Sequence, residues 1–125
     1  MKAVYKLSAE EWPKVKEEMR AAMIAAARAG KTITYSELAA QLETAYVHPH
    51  SFLMTRLLTE IGREEIAAGR GVLPAVVVSK ATGMPGGGYF RASALQGADM
   101  SDLEAAWRDD LESVFAYWQE ASTSE

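Results

Sequence analysis

The sequence predicts an α+β chain, mostly helical, in which amphipathic helices at the two ends flank a helical pair and one small β-hairpin. Three observations carry that expectation. A Ser or Thr followed three residues later by Glu occurs at Ser8/Glu11, Thr34/Glu37 and Ser101/Glu104; this is the spacing at which each side chain caps the other's backbone N–H and starts a helix. LPAVVVS at 73–79 is an unbroken apolar run, suited to a strand covered on both faces. KATGMPGGG at 80–88 follows with four glycines, and the aromatics Tyr89 and Phe90 come next, as the tip and return strand of a hairpin would.

Each element follows from its local pattern. After Ser8, the residues Trp12, Val15, Met19, Ala22, Met23 and Ala26 recur at three- and four-residue spacing, and Gly30 supplies a stop. Pro13 falls near the first turns of that helix, where a missing N–H costs little. KTIT reads as a short extended piece and YSELAAQLE as a compact second helix. TAYVHPH is a connector, because Pro49 holds His48 out of helical geometry. Ser51 caps a third helix over 51–61 with Met54, Leu57, Leu58 and Ile61 as its buried stripe, continuing with a kink at Gly62 to Gly69. From Ser101 onward, Leu103, Trp107, Leu111, Val114 and Trp118 mark a closing helix.

Composition bounds the function. A chain of 125 residues with 49% hydrophobic and 24% charged residues is read as one domain, 1–125, with a self-sufficient core. The absence of cysteine removes disulfides, a thiol nucleophile and zinc–thiolate sites. No segment approaches the roughly 18 apolar residues of a membrane span, and the start MKAVYKLSAEEW is not a signal peptide, so no membrane partner and a cytoplasmic location are expected. The net charge of −4 is unevenly spread: residues 1–31 carry seven Lys/Arg against four Glu, and residues 99–125 one Arg against eight acids. Nonspecific DNA affinity comes from cations displacing counterions, so any nucleic-acid contact must be local.

Helix, short strand, helix, connector, helix, strand, Gly-rich turn and aromatic strand form, in that order, a winged helix: a helix-turn-helix with a hairpin wing. ITYSELAAQL is similar to the segment with which the winged-helix domain of the O6-alkylguanine DNA alkyltransferases, and of their non-catalytic alkyltransferase-like relatives, begins its helix-turn-helix. LPAVVVSKATGMPGGGYF resembles the later stretch in which that family carries Pro-Cys-His-Arg-Val or Pro-Trp-His-Arg-Val, a turn and Gly-Gly-Tyr. The resemblance spans about residues 32–91. It implies that Tyr35 presses on a DNA phosphate. It also places Pro74 on the motif proline and Ala75 where the reactive cysteine or its tryptophan substitute stands, with Val76 and Val77 for the His-Arg that follows. An alanine methyl cannot accept an alkyl group, so that chemistry is excluded. His50, Ser51 and Phe52 occupy the place of the family's intercalating arginine.

The candidate nucleic-acid-binding residues are Tyr35, Ser36, His50, Ser51, Thr55, Arg56, Arg63, Lys80 and Arg91. In this reading the helix 51–61 enters the major groove, and the Gly-rich wing 80–88 rests on the backbone between Lys80 and Arg91. Each residue also has a plainer role. Tyr35 can pack on the first helix, Arg56 and Arg63 can form a solvated face weakened by Glu60, Glu64 and Glu65, and the last helix's aromatics can be core. His48 and His50 lack a third ligand, so no metal or cofactor is expected. The glycines lead into aromatics and not into a Lys-Ser/Thr helix start, so the turn is not a phosphate loop. Asp109-Asp110 and Glu64-Glu65 read as helix surface. The expected function is a module that binds double-stranded DNA weakly and catalyses nothing. The alternative is a protein-interaction adaptor, or a homodimer, on the same scaffold. The two differ in whether Arg56, Arg63, Lys80 and Arg91 converge or have acids between them.

Overall fold

The computed structural model describes residues 3–4, 7–86, 89 and 103–123. Within them the chain is α+β and mostly helical. In order it forms β1 (Ala3–Val4), α1 (Glu11–Arg28), β2 (Ile33–Thr34), α2 (Tyr35–Ala40), β3 (Tyr46–Val47), α3 (Phe52–Ala67), a 3-10 turn (Leu73–Val76), β4 (Val77–Val78) and α4 (Leu103–Thr123).

The helix signals act as the residue pattern dictates. Ser8 and Glu11 cap one another, with N–H···O distances of 2.9 and 3.1 Å. The helix proper starts at Glu11, so Pro13 lies in its first turn, where no intrahelical donor is lost. At the other end Gly30 adopts φ 67°. That left-handed residue lets the Lys31 N–H reach Ala26 O and its own N–H reach Ala27 O, each at 3.0 Å, which satisfies carbonyls the helix would otherwise leave open. Gly69 closes α3 in the same way. α3 runs without interruption through Gly62, whose bare Cα accommodates the ring of Pro74: a Cβ there would meet Pro74 Cγ at 3.4 Å.

The core collects most of the predicted stripes, although Leu103, the first member of the closing stripe, is 40% exposed. Val15, Met19 and Met23 of α1, Met54, Leu57 and Ile61 of α3, and Val114 and Trp118 of α4 are buried together; full burial of each large apolar side chain contributes about 1.5–3 kcal/mol. The 3-10 turn lies at the centre, packed on α1, α3 and α4. Its carbonyl at Ala75 accepts a 2.8 Å hydrogen bond from the indole N–H of Trp107. Ala75 and Trp107 form a small second cluster with Val78, so Ala75 is fully buried beside the indole.

Several expectations are corrected. The apolar run 73–79 is not one strand: Pro74 cannot donate to a ladder, and Leu73–Val76 winds into the 3-10 turn before two residues extend as β4. Tyr89, the one described residue of the expected aromatic return strand, is helical, and its N–H bonds Gly86 O at 3.1 Å. Pairing among the described residues is parallel, β2 with β4 (Ile33↔Val77, Thr34↔Val78) and β1 with β3 (Ala3↔Tyr46, Val4↔Val47). The connector therefore contains a strand, and so does the N-terminal segment. Ser101, Phe90 and Arg91 lie outside the described residues.

Candidate functional site

Three segments converge at the start of α2. Thr34 ends β2 and caps the helix: its hydroxyl accepts the Glu37 N–H at 3.1 Å, and the Glu37 carboxylate accepts the Thr34 N–H at 2.9 Å. These bonds hold the Glu37 pKa below the ordinary carboxylate value, with a smaller contribution from the Lys80 charge. The cap places Tyr35 and Ser36 on the helix's first turn. Because β4 runs parallel to β2 with Val78 beside Thr34, the chain leaving β4 delivers Ser79 and Lys80 to that same turn.

The third segment is the connector after β3. His48 Nδ1 accepts the His50 N–H at 3.1 Å, and His48 O accepts both the Ser51 N–H at 3.1 Å and the Ser51 hydroxyl at 2.8 Å. The connector is thereby held in a tight turn that brings the His50 ring to 6.4 Å from the Tyr35 ring. Thr34, Tyr35, Ser36, His50, Ser79, Lys80 and Ala81 line a cleft of about 230 Å³.

Tyr35 forms one wall. Its hydroxyl accepts the Gly86 N–H at 2.7 Å, while burial raises its pKa against the lowering effect of that bond. The phenol therefore keeps its proton at neutral pH and retains one donor. The Gly-rich segment folds back on itself as well, through Ser79 N–H to Met84 O and Gly83 N–H to Ser79 O, both 2.8 Å. The cleft thus offers hydroxyls, an imidazole and an ammonium on a largely fixed frame. That is a set of donors for an anionic oxygen cluster.

No family model, curated protein or solved structure matches the chain.

Of the nine candidate residues, Tyr35, Ser36, His50 and Lys80 come together in the cleft. Ser51 serves as the cap of α3, its hydroxyl accepting the Met54 N–H at 3.1 Å while donating to His48 O. Thr55 is exposed one turn further on, its hydroxyl 3.4 Å from Ser51 O. Arg56 lies over the Trp12 ring, 5.2 Å from its centre, and the Trp12 indole N–H donates to Glu60 at 2.9 Å. Arg63 is exposed on the same stripe of α3, with Glu60 between it and Arg56. Arg91 lies outside the described residues.

The acids of α3 differ from the surface expectation in one respect. Glu65 is 0% exposed, its carboxylate taken by the Arg70 guanidinium with Arg20 3.7 Å away. A carboxylate can be buried there because two cations from separate segments reach it. Glu64 binds Lys16 and Arg20, and Glu60 binds Lys16, which ties α1 to α3. Burial opposes the Lys16 charge, but its hydrogen bonds to Glu64 and Glu60 outweigh that and raise its pKa. The Lys16 hydrogen bond holds Glu64 low. Among the described residues no group of three or more His, Asp and Glu stands close enough to hold a metal ion. Asp110, read as helix surface, accepts the Tyr89 hydroxyl.

Sequence reasoning missed Thr34, Ser79 and Ala81 as cleft residues, since only the parallel β2–β4 register brings them there. Phe52, named with His50 and Ser51 only for its place in the resemblance and left out of the candidate residues, is the first residue of α3 and is 91% exposed. Its signal was present: Phe52 is a large apolar residue off the Met54, Leu57, Leu58, Ile61 stripe.

Proposed function

We propose that the protein is a DNA-binding module that catalyses no reaction, related in plan to a winged helix. In this reading α2 and α3 act as the helical pair, and the Gly-rich turn stands where a wing would. The observation that carries it is the convergence of Tyr35, Ser36, His50 and Lys80, from three separate segments, on one cleft with Ser79. Hydroxyls and an ammonium so placed suit a backbone phosphate, and such contacts position a protein on nucleic acid without reading sequence. Contact along the rest of α3 is limited by Glu60 between Arg56 and Arg63, so the interface is confined to the first turn of α3 and the cleft. Weak affinity follows from few phosphate contacts.

Fluorescence anisotropy with labelled DNA at low and moderate salt tests this reading. Binding that weakens with salt and is lost in Lys80→Glu supports it, and no binding at low salt and tens of micromolar protein removes it. A protein-interaction role is the second reading, and the charge criterion favours it: Arg56 and Arg63 lie outside the cleft with Glu60 between them, and Leu103 and Tyr117 are exposed among the carboxylates of α4.

A further inference from the structure

We infer that Phe52 is a stacking platform for an unpaired base, so that the DNA strand is single-stranded where it crosses the cleft. This inference rests on the DNA-binding reading and narrows its ligand.

Phe52 is the most exposed large apolar side chain among the described residues, at 91%. The position is not a fraying end: Ser51 caps the helix immediately before it, and Leu53 and Met54 immediately after are buried. The ring is therefore held out into solvent by a fixed turn. Two residues of chain span at most about 7 Å, so the backbone of Phe52 lies within that distance of His50 in the cleft wall. A strand with one phosphate at Lys80, Ser36 and Ser79 can bring the adjoining base to the ring.

The chemistry of the ring selects the form of DNA. A phenyl group has no donor or acceptor with which to read base edges, and an intact duplex hides its base faces within the stack and presents edges and phosphates. An unpaired base exposes its whole face, which is what an aromatic ring can cover without regard to sequence. Charge points the same way. A duplex laid along α3 would meet Glu60 between Arg56 and Arg63, with Arg56 already on the Trp12 ring. A single strand needs only the cleft and the first turn.

The test compares an oligothymidylate strand with a duplex of equal length, by anisotropy, for the native chain, Phe52→Ala and Lys80→Gln. A strand carrying 2-aminopurine reports stacking through quenching of its emission. Phe52 is almost fully exposed, so Phe52→Ala keeps the native circular dichroism spectrum. The expected result is tighter binding of the single strand than of the duplex, with quenching of the probe. Phe52→Ala then loses roughly 5- to 150-fold in single-strand affinity, as removal of one base–aromatic stack does, with a clearly smaller loss on the duplex and quenching gone. Lys80→Gln weakens both forms. Single-strand affinity no greater than duplex affinity, or equal losses on both forms in Phe52→Ala, overturns the stacking role and leaves the DNA-binding reading standing. Absence of binding to either form overturns both.

Discussion

The amide of Gly86 donates a 2.7 Å hydrogen bond to the hydroxyl of Tyr35, 51 residues away in sequence. It fastens the Gly-rich turn to the first turn of α2, so the residue expected to press on a phosphate also anchors the loop beside it. Tyr35→Phe removes the acceptor and is expected to cost about 0.5–1.5 kcal/mol, seen as a lower urea midpoint and faster amide exchange at Gly86. Unchanged exchange there would mean that the contacts at Ser79 and Met84 hold the turn alone.

Gly86→Ala is expected to destabilise as well, because a Cβ at this position would stand 3.2 Å from the Tyr35 hydroxyl. The two changes share one contact, so they should not add: in a Tyr35→Phe background the alanine meets a carbon-bound hydrogen instead of a hydroxyl and its cost falls. A double-mutant cycle in urea measures the coupling, and strict additivity would show that the crowding is relieved elsewhere.

Acid and alkali should each remove a defined part of the stability. Glu64 and Glu18 have folded pKa values below the ordinary 4.5. For Glu18, burial raises the value, but the hydroxyl and N–H of Thr44 and the N–H of Glu43 outweigh that. A lowered carboxylate stabilises the fold fully above its unfolded pKa, and the gain disappears as pH falls through the lowered folded value. Melting temperature should therefore drop below about pH 4.5, less steeply in Glu18→Gln and Glu64→Gln. Lys16 has a folded pKa above 10.5, so its contribution is complete below that pH and is lost as pH climbs through the raised value. A Lys16→Met variant whose alkaline transition matches the native one would assign that transition to another group.

The extent to which these features were legible in the sequence divides cleanly by range. Caps and helical stripes are local, so α1, α2, α3 and α4 and the short extended piece at Ile33–Thr34 follow from neighbours within a few residues. Two-residue strands carry no pattern of their own. β1 and β3 exist because Ala3 finds Tyr46, and neither residue announces the other. The Val-rich run at 75–78 reads as strand from composition, and Pro74 together with the enclosing helices turns its first half into a 3-10 segment. Glu65 reads as surface because its burial depends on Arg70 and Arg20, which only folding brings together. In the cleft the residue types were legible, while the grouping of Tyr35 with Lys80 was set by strand register.

Arg56→Glu separates the two faces of α3. Loss of the Trp12 contact forfeits about 0.5–1 kcal/mol, and the new carboxylate faces Glu60 one turn on, so a modest fall in the urea midpoint is expected. DNA affinity should fall less than in Lys80→Glu, because Lys80 lines the cleft and Arg56 does not. Equal losses in anisotropy titrations of the two variants would place the helix face, and not the cleft, at the centre of the interface.

Trp107→Phe tests the seal over the 3-10 turn. The phenyl ring fills most of the indole's space but leaves Ala75 O, now at 2.8 Å from the indole nitrogen, without its donor. A buried unpaired carbonyl costs about 1–3 kcal/mol, which calorimetry would register as a lower melting temperature. A change near zero would indicate that water replaces the indole.

The parallel register between Thr34 and Val78 also fixes when the cleft can come into being during synthesis. A nascent chain that has released α2 but still holds residues 77–80 in the ribosomal tunnel has Tyr35 and Ser36 without Ser79 and Lys80. The cleft is therefore complete only once residues 79–80 have left the tunnel, and a chain terminated upstream of β4 lacks that wall however well its first two helices form.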